Sequence, residues 1–514
     1  MELSIASILA ESAARHPDRA AVVLGESRVT YAELWEQARR YAAVLRAHGI
    51  GPGDAVALML PNVPDFPRTY YGALALGAVV VPVHALLTAE EIAFVLADAR
   101  VKAFVCAAPF LAAGRAAAEK AGVTLLAVMV PPPGPGEPGP QVPQLDAFAA
   151  SADPIAAFVR RGPLDDAVVL YTSGTTGKPK GAVLSHLNMI MNATVSAFDL
   201  FGLRDDDVFL GCLPLFHSFG QTCVMNTAFR VGATVVLMPR YDGAAALDLL
   251  IKERITVFVG VPTMYISLLD AARTDPRRPE LQIAVSGGAS LPQTVLEAFE
   301  KTFGLPIYEG YGLSETSPVA SFNQRDLGRK PGTVGRGVWG VDLGIAKADL
   351  EGRIELLPCG ELGEVVIRGH DVFKGYLNNP EATAAVMVDG WFRSGDLGTQ
   401  DADGFITIVD RKKDMVLRGG YNVYPREVEE VLLRHPAIAQ VAVIGLPDPL
   451  HGEEVCAVVV LAPDANETGA EEIIAWSQQN LARYKYPRRV EFVEAFPLGP
   501  SGKVLKRELV RRFG

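Results

Sequence analysis

The sequence predicts an α/β fold in more than one domain, and three observations carry that expectation. From residue 1 to about 330, short Val-, Leu- and Ile-rich runs alternate with longer stretches of helical periodicity. That is the rhythm of a largely parallel sheet covered by helices. From about residue 331 to 410 the texture becomes short strands between Gly turns, as in GTVGRGVWGVDLGI and DGWFRSGDLG, which predicts an antiparallel sheet or small barrel. Beyond Arg411, the runs VEEVLLRHP, VAVIGLP, CAVVVLA and EEIIAWSQQNLA predict a compact α+β module. The 514 residues are too many for one ordinary core.

In chain order, SIASILAESAARHP, AAVVLG, RVTYAELWEQARRYAAVLRAHG and DAVALML alternate helix and strand. Thr30 followed by Glu33 fits a capping box at the start of the second helix. The most apolar run, YYGALALGAVVVPVHALL from Tyr70, passes from an Ala/Leu to a Val pattern and carries Pro82 and His84. It reads as a buried helix-to-strand step rather than a membrane span. PPPGPGEPGP from Pro131 fits neither helix nor central strand and reads as an inter-domain linker or a long exposed loop, and the unchanged α/β rhythm after it favours a loop within one large domain. After Val208, apolar strands end in Pro, Gly or Ser, where α/β folds bind ligands.

Composition narrows the function classes. With 49% hydrophobic and 21% charged residues the chain is globular, and a net charge of -11 argues against a general nucleic-acid binder. Five scattered cysteines read as reduced, buried thiols of a cytoplasmic protein. The eight histidines form no zinc motif. The N-terminus lacks the features of a signal peptide.

The densest chemistry lies in YTSGTTGKPKG, residues 171–181. An apolar run, AVVLY, precedes it as a buried strand. Residues from Ala182 onward have helix-like spacing, with Ser185 as N-cap. Gly-rich backbone and clustered hydroxyls can converge on an anion, usually a phosphate. The loop is not a Walker A motif, since Pro179 follows Gly177-Lys178. A surface turn is the plain alternative; the donor density, the strand before it and the two lysines favour phosphate.

Five further islands are individually weak. SGGASLP (286–292) lets a flat ligand lie on backbone. YEGYGLSETS (308–317) offers Tyr311 as an aromatic face and Glu315 as an oxygen ligand suited to Mg²⁺. WFRSGDLG (391–398) sets Asp396 where a ribose diol could bind it, or simply in a turn. Residues 408–429 join the large part to the small one. FPLGPSGKVLKREL (496–509) presents Lys503 after a Pro/Gly turn.

In this order and spacing, across nearly the whole chain, the set resembles the adenylate-forming superfamily, and within it the acyl-CoA synthetase branch, most closely the bacterial medium- and long-chain fatty acid–CoA ligases. The resemblance implies a large N-terminal domain of stacked α/β sheets plus a distorted β-barrel (residues 1–411). A small α+β C-terminal domain (412–514) would move on a hinge. It implies that Thr172, Ser173, Gly174, Thr175, Thr176 and Lys180 form the phosphate loop. Gly288, Ala289, Glu309, Gly310, Tyr311 and Gly312 would surround adenine and the acyl group. Ser314 and Glu315 match a Thr-Glu pair, with Glu315 holding Mg²⁺. Asp396 and Arg411 would contact ribose and Lys413 would be the hinge. Gly419 and Gly420 would line the thiol tunnel after rotation, and Lys503 would be catalytic.

The implied reaction joins a carboxylic acid to coenzyme A through acyl-AMP, at the expense of ATP. The acid pocket is expected around His217, Tyr265, Val285 and Gly310, with His217 as gate or acyl contact, or as a hydrogen-bonded strand-end histidine. No arginine in these strips is placed for a second carboxylate and no Asp for an amino group. A fatty acid is expected first and an aryl or cinnamate-type acid second. Delivery to a carrier-protein thiol or other acceptor, and a non-catalytic nucleotide-binding protein, remain alternatives. The expected partners are small molecules, with no integral membrane segment and a homodimer allowed for.

Overall fold

The strand Ala55–Met59 shows how the large part is built. Val56 and Leu58 enter one core, while Ala57 and Met59 enter another on the opposite face. Strands buried on both faces read as continuous apolar runs and demand helices on each side. The computed structural model describes residues 2–131, 142–172, 179–463, 465, 468–499 and 504–514. Among these, the strands form four sheets.

A nine-stranded and a seven-stranded sheet, both largely parallel, make up the large part; the first is antiparallel at both edges and the second at one. Their inner faces share one core with the helices Ala6–Arg15, Tyr31–Ala47, Asp65–Ala75 and His186–Val195. Helices Gly243–Lys252, Pro262–Thr274 and Gln293–Phe303 cover the outside of the first sheet. Helices Ala89–Asp98 and Leu111–Ala121 cover the outside of the second. Five layers result, alternating helix and sheet, as the alternating sequence predicts.

Local signals placed several boundaries. Thr30 and Glu33 form the expected capping box, and Ser185 caps the helix His186–Val195 through the Asn188 amide. Each such cap is worth about 0.5–2 kcal/mol. The Tyr70 run is indeed a buried helix followed by the strand Val79–Pro82. Residues 182–184, which have helix-like spacing in the sequence, differ from expectation. They belong to the strand Lys180–Ser185, which pairs antiparallel with Asp166–Thr172. Ala182, Val183 and Leu184 are all buried, and such a short continuous apolar run is ambiguous by periodicity alone.

The 331–410 region gives the expected antiparallel sheet, centred on Gly363–Gly369 and Trp391–Gln400. A last sheet, with apolar clusters on both faces, is flanked by Pro425–Leu432, Ala470–Asn480 and Lys506–Phe513. Four cysteines are buried, but Cys359 is exposed, which corrects the expectation for it. No helix among the described residues is long and apolar enough to cross a membrane. The Pro/Gly stretch at 132–141 lies outside the described residues.

Candidate active site

A cavity of about 1220 Å³ opens where three of the sheets and the C-terminal helix meet. Its floor is the carboxyl end of Ile307–Gly312, a strand parallel to Ile283–Ser286 and antiparallel to Val319–Phe322. Gly312 must be glycine, because a Cβ there would lie 1.7 Å from the Pro318 carbonyl oxygen. The chain passes this crossing and turns at once into Ser314–Thr316, which carries Glu315.

Tyr311 links two sheets. Its hydroxyl donates to Asp396 Oδ2 at 2.7 Å, and Arg411 Nε lies 3.1 Å from Asp396 Oδ1. Asp396 and Arg411 are direct register partners in the antiparallel sheet. A strand pairing therefore fixes the carboxylate between a phenol and a guanidinium. Burial, and after it the Asp396 charge, pushes the Tyr311 hydroxyl well above its ordinary range, so it stays a donor.

Glu315 is 8% exposed, and burial raises its carboxyl above the usual range. Its Oε1 accepts from the Tyr376 hydroxyl at 2.9 Å, and its carbonyl accepts from the Phe373 amide. One oxygen-donor carboxylate beside a polar cavity suits Mg²⁺, which keeps several waters and takes phosphate oxygens as further ligands. Tyr376 reaches this place because Gly375–Tyr376 pairs with Lys180–Ser185. Lys180 Nζ then lies 5.3 Å from the centre of the Tyr376 ring. Thr172 and Lys180 close the base of the 171–181 hairpin and line the cavity. Ser173, Gly174, Thr175 and Thr176 lie outside the described residues.

Apolar side chains also line the cavity: Phe201, Phe219, Cys223, Val285, Val319 and Phe322. Gly220 allows the π-helical turn Phe219–Asn226 to pass beneath the 213–214 backbone, where a Cβ would meet the Pro214 carbonyl oxygen at 2.3 Å. His217 lines the wall, and its Nδ1 accepts from the Phe219 amide at 3.2 Å. His84 packs edge-on against Phe216, ring centres 4.5 Å apart, and burial pushes its imidazole down to about 4. It is neutral near pH 7, and its Nδ1 accepts from the Leu86 amide.

Of the residues singled out in the sequence, Thr172, Lys180, His217, Gly288, Gly310, Tyr311, Gly312, Ser314, Glu315, Asp396 and Arg411 line this one cavity, with Lys413 beside them. Others stand apart. Ala289 and Glu309 are outside its lining. Glu309 is buried, and that burial pushes its carboxyl up to about 7 against the pull of Arg426. Gly419 and Gly420 form the turn between Val416–Arg418 and Tyr421–Val423, away from the cavity. Tyr265 is behind the wall rather than in it: fully buried, it donates to the Val285 carbonyl at 2.8 Å. Lys503 lies outside the described residues, but Leu505 and Arg507, just beyond it, line the cavity. Tyr376 has no signal in the sequence, and His84 stands out there only as an interruption of the Tyr70 run; each gains its place at the cavity through strand pairing and packing.

The chain matches two family models. AMP-binding enzyme covers residues 9–377, and AMP-binding enzyme C-terminal domain covers residues 427–503. It is 36% identical to a long-chain-fatty-acid–CoA ligase of Bacillus subtilis (strain 168), over 99% of this chain and 94% of that protein. It is 38% identical to a feruloyl-CoA synthase of an Amycolatopsis species, over 97% of this chain and 96% of the relative. Among solved structures, ATP-bound MatB from Rhodopseudomonas palustris superposes with a TM-score of 0.90 at 32% identity, covering 100% of this chain and 99% of that one.

Proposed function

The chain belongs to the AMP-binding enzyme family, and on that premise we propose that it is an AMP-forming acid–CoA ligase acting on a medium- or long-chain fatty acid. The observation that carries this is the meeting, in one cavity, of the Tyr311–Asp396–Arg411 network, the Glu315 carboxylate, the hairpin base at Thr172 and Lys180, and an apolar wall. The first group suits a nucleoside, the second and third a metal-bound polyphosphate, and the last an alkyl chain.

Two half-reactions follow. The acid's carboxylate oxygen attacks the α-phosphorus of ATP, and pyrophosphate leaves with the bonding electrons. The coenzyme A thiolate then attacks the acyl carbon, and AMP leaves with the electrons of the acyl–oxygen bond. A carboxylate approaching a polyphosphate meets repulsion, so positive groups must be fixed in advance. Tyr311 packs against the base, and Asp396 accepts from the ribose hydroxyls while Arg411 holds it in place. Thr172, Lys180 and the rest of the 172–180 loop grip the β- and γ-phosphates. Mg²⁺ held by Glu315 would screen phosphate charge. Lys503 bridges the attacking carboxylate and the α-phosphoryl oxygens.

Residues 1–411 act as the ATP- and acid-binding domain, and 412–514 as a mobile domain pivoting at Lys413. The pivot removes Lys503 after adenylation and brings the Gly419–Gly420 turn to the thiol path, a hinge-type gating step. ATP and coenzyme A as substrates favour a cytoplasmic site of action.

The apolar side supports a fatty acid, since none of Phe201, Phe219, Cys223, Val285, Val319 and Phe322 carries charge. The edge-on pair of His84 and Phe216 favours a second reading, an aryl or cinnamate-type acid. A panel of both acid types, read by pyrophosphate release and by mass spectrometry of the thioester, tests the proposal. Formation of acyl-CoA and AMP supports it. Acyl-AMP that accumulates in the presence of coenzyme A points to another acceptor, and no turnover with any acid overturns the enzymatic reading.

A further inference from the structure

Tyr376 stands between two groups that the reaction must coordinate. On one side its hydroxyl donates to Glu315 Oε1 at 2.9 Å. On the other its ring faces Lys180 Nζ, 5.3 Å from the ring centre. The tyrosine is itself fixed. Its strand Gly375–Tyr376 pairs with Lys180–Ser185 in the register Tyr376↔Ala182, and the next amide, Leu377, donates to the Gly181 carbonyl. Phe373 packs edge-on against its ring, centres 5.0 Å apart, while the Phe373 amide donates to the Glu315 carbonyl. The short segment 373–377 therefore holds Glu315 by backbone and side chain and holds the end of the 171–181 hairpin by backbone.

We propose that Tyr376 is a positioning residue that fixes the Glu315 carboxylate for a divalent cation and ties it to the lysine at the end of the phosphate loop. The inference rests on the reading of Glu315 as the cation ligand. With Oε1 anchored by the phenol, the carboxylate has one preferred orientation, and its second oxygen is presented without a search over rotamers. Partners of this kind behind a ligand typically govern metal affinity by about 10- to 100-fold. The ring contact holds the Lys180 ammonium over the same spot, so cation and lysine meet one polyphosphate together.

The hydroxyl and the ring can be separated. Mn²⁺ is titrated by electron paramagnetic resonance into the full-length protein with α,β-methylene-ATP, for wild type, Tyr376→Phe, Tyr376→Leu, Glu315→Gln and Glu315→Gln/Tyr376→Phe. Tyr376→Phe is expected to weaken Mn²⁺ about 10-fold and to raise the Mg²⁺ requirement of pyrophosphate release more than it lowers kcat at saturating Mg²⁺. The double variant should be no worse than Glu315→Gln alone, since both act through one carboxylate. Tyr376→Leu should add a loss of about two- to fivefold in metal-free nucleotide binding. Wild-type Mn²⁺ affinity in Tyr376→Phe, beside a loss in Glu315→Gln, would overturn the positioning role. So would a double variant showing the two losses multiplied. If Glu315→Gln itself leaves Mn²⁺ binding unchanged, the ligand reading fails, and this inference fails with it.

Discussion

Asp371→Asn should stabilise the protein at alkaline pH while changing little in acid. Asp371 lies between Gly363–Gly369 and Gly375–Tyr376, beside the segment that supports Glu315. Asp371 is 0% exposed, no side chain among the described residues bonds its carboxylate, and the amides of Asp371 and Val372, too poorly aligned for full hydrogen bonds, offset only part of the burial. Burial pushes the carboxyl from 3.8 up to about 8. In the unfolded chain it titrates near its ordinary value of about 4. Between about pH 4 and pH 8 the folded protein therefore keeps a proton that the unfolded chain releases. The folded-state pKa is the raised one, so stability from this group is complete below pH 4 and is lost progressively up to pH 8. The separation corresponds to on the order of 5 kcal/mol at pH 8 and above, and about 4 kcal/mol at pH 7, if nothing relaxes.

An asparagine of the same shape cannot ionise and escapes this loss, though its amide brings one extra buried donor. The variant should be level with wild type or slightly below it at pH 5. At pH 8 it should unfold about 2–3 °C higher, as relaxation and water entry leave about 2–3 kcal/mol of the limit. Scanning calorimetry of both proteins from pH 5 to 9 reads the effect. A difference between them that is independent of pH, or a wild type whose unfolding temperature is flat from pH 5 to 8, would refute the reasoning. Either result would mean that the native carboxylate is ionised and satisfied.

Four other outcomes are expected. Lys503→Ala should lower adenylation about 10²- to 10³-fold yet largely spare thioester formation from supplied acyl-AMP; equal loss of both half-reactions counts against separate states of the small domain. Tyr311→Phe removes the hydrogen bond to Asp396 and should weaken ATP about tenfold, read as KM, with little change in unfolding temperature. Glu364→Ala removes the carboxylate paired with Arg393, an ion pair at 2.5 Å with side chains 4% and 5% exposed, and leaves the guanidinium charge only the Leu350 and Lys347 carbonyls; it should cost about 3 kcal/mol by denaturant unfolding. His84→Ala should leave the pH profile between 5 and 8 unchanged, because the imidazole is already neutral there, and should shift acid preference toward bulkier chains; an altered profile would show that the imidazole titrates in that range.

Much of the fold was legible because its signals are local. The Val and Ala runs that become doubly buried strands, the Thr30 and Ser185 caps and the Gly-rich texture of 331–410 each work within a few residues. Residues 182–184 have helix-like spacing yet form a strand up to the Ser185 cap, because a short buried strand and a helix start share the same apolar run. Cys359 is exposed although the cysteines as a set read as buried, because composition describes the set and not the surroundings of one.

The sequence by itself determined the chemical inventory: a loop dense in glycine, hydroxyls and lysine, the tyrosine and carboxylates of the later motifs, and their order along the chain. That information is carried by residue type and spacing, which no fold can alter. Only the tertiary structure decided which of these groups share a cavity. Tyr311 meets Asp396 across 85 residues and Glu315 meets Tyr376 across 61, through pairings between strands remote in the chain. The same packing sets Tyr265 behind the wall and Glu309 outside the lining, although both belong to promising stretches. A strand turns successive side chains to opposite faces, so a motif can name the segment while the sheet selects which of its residues face the ligand.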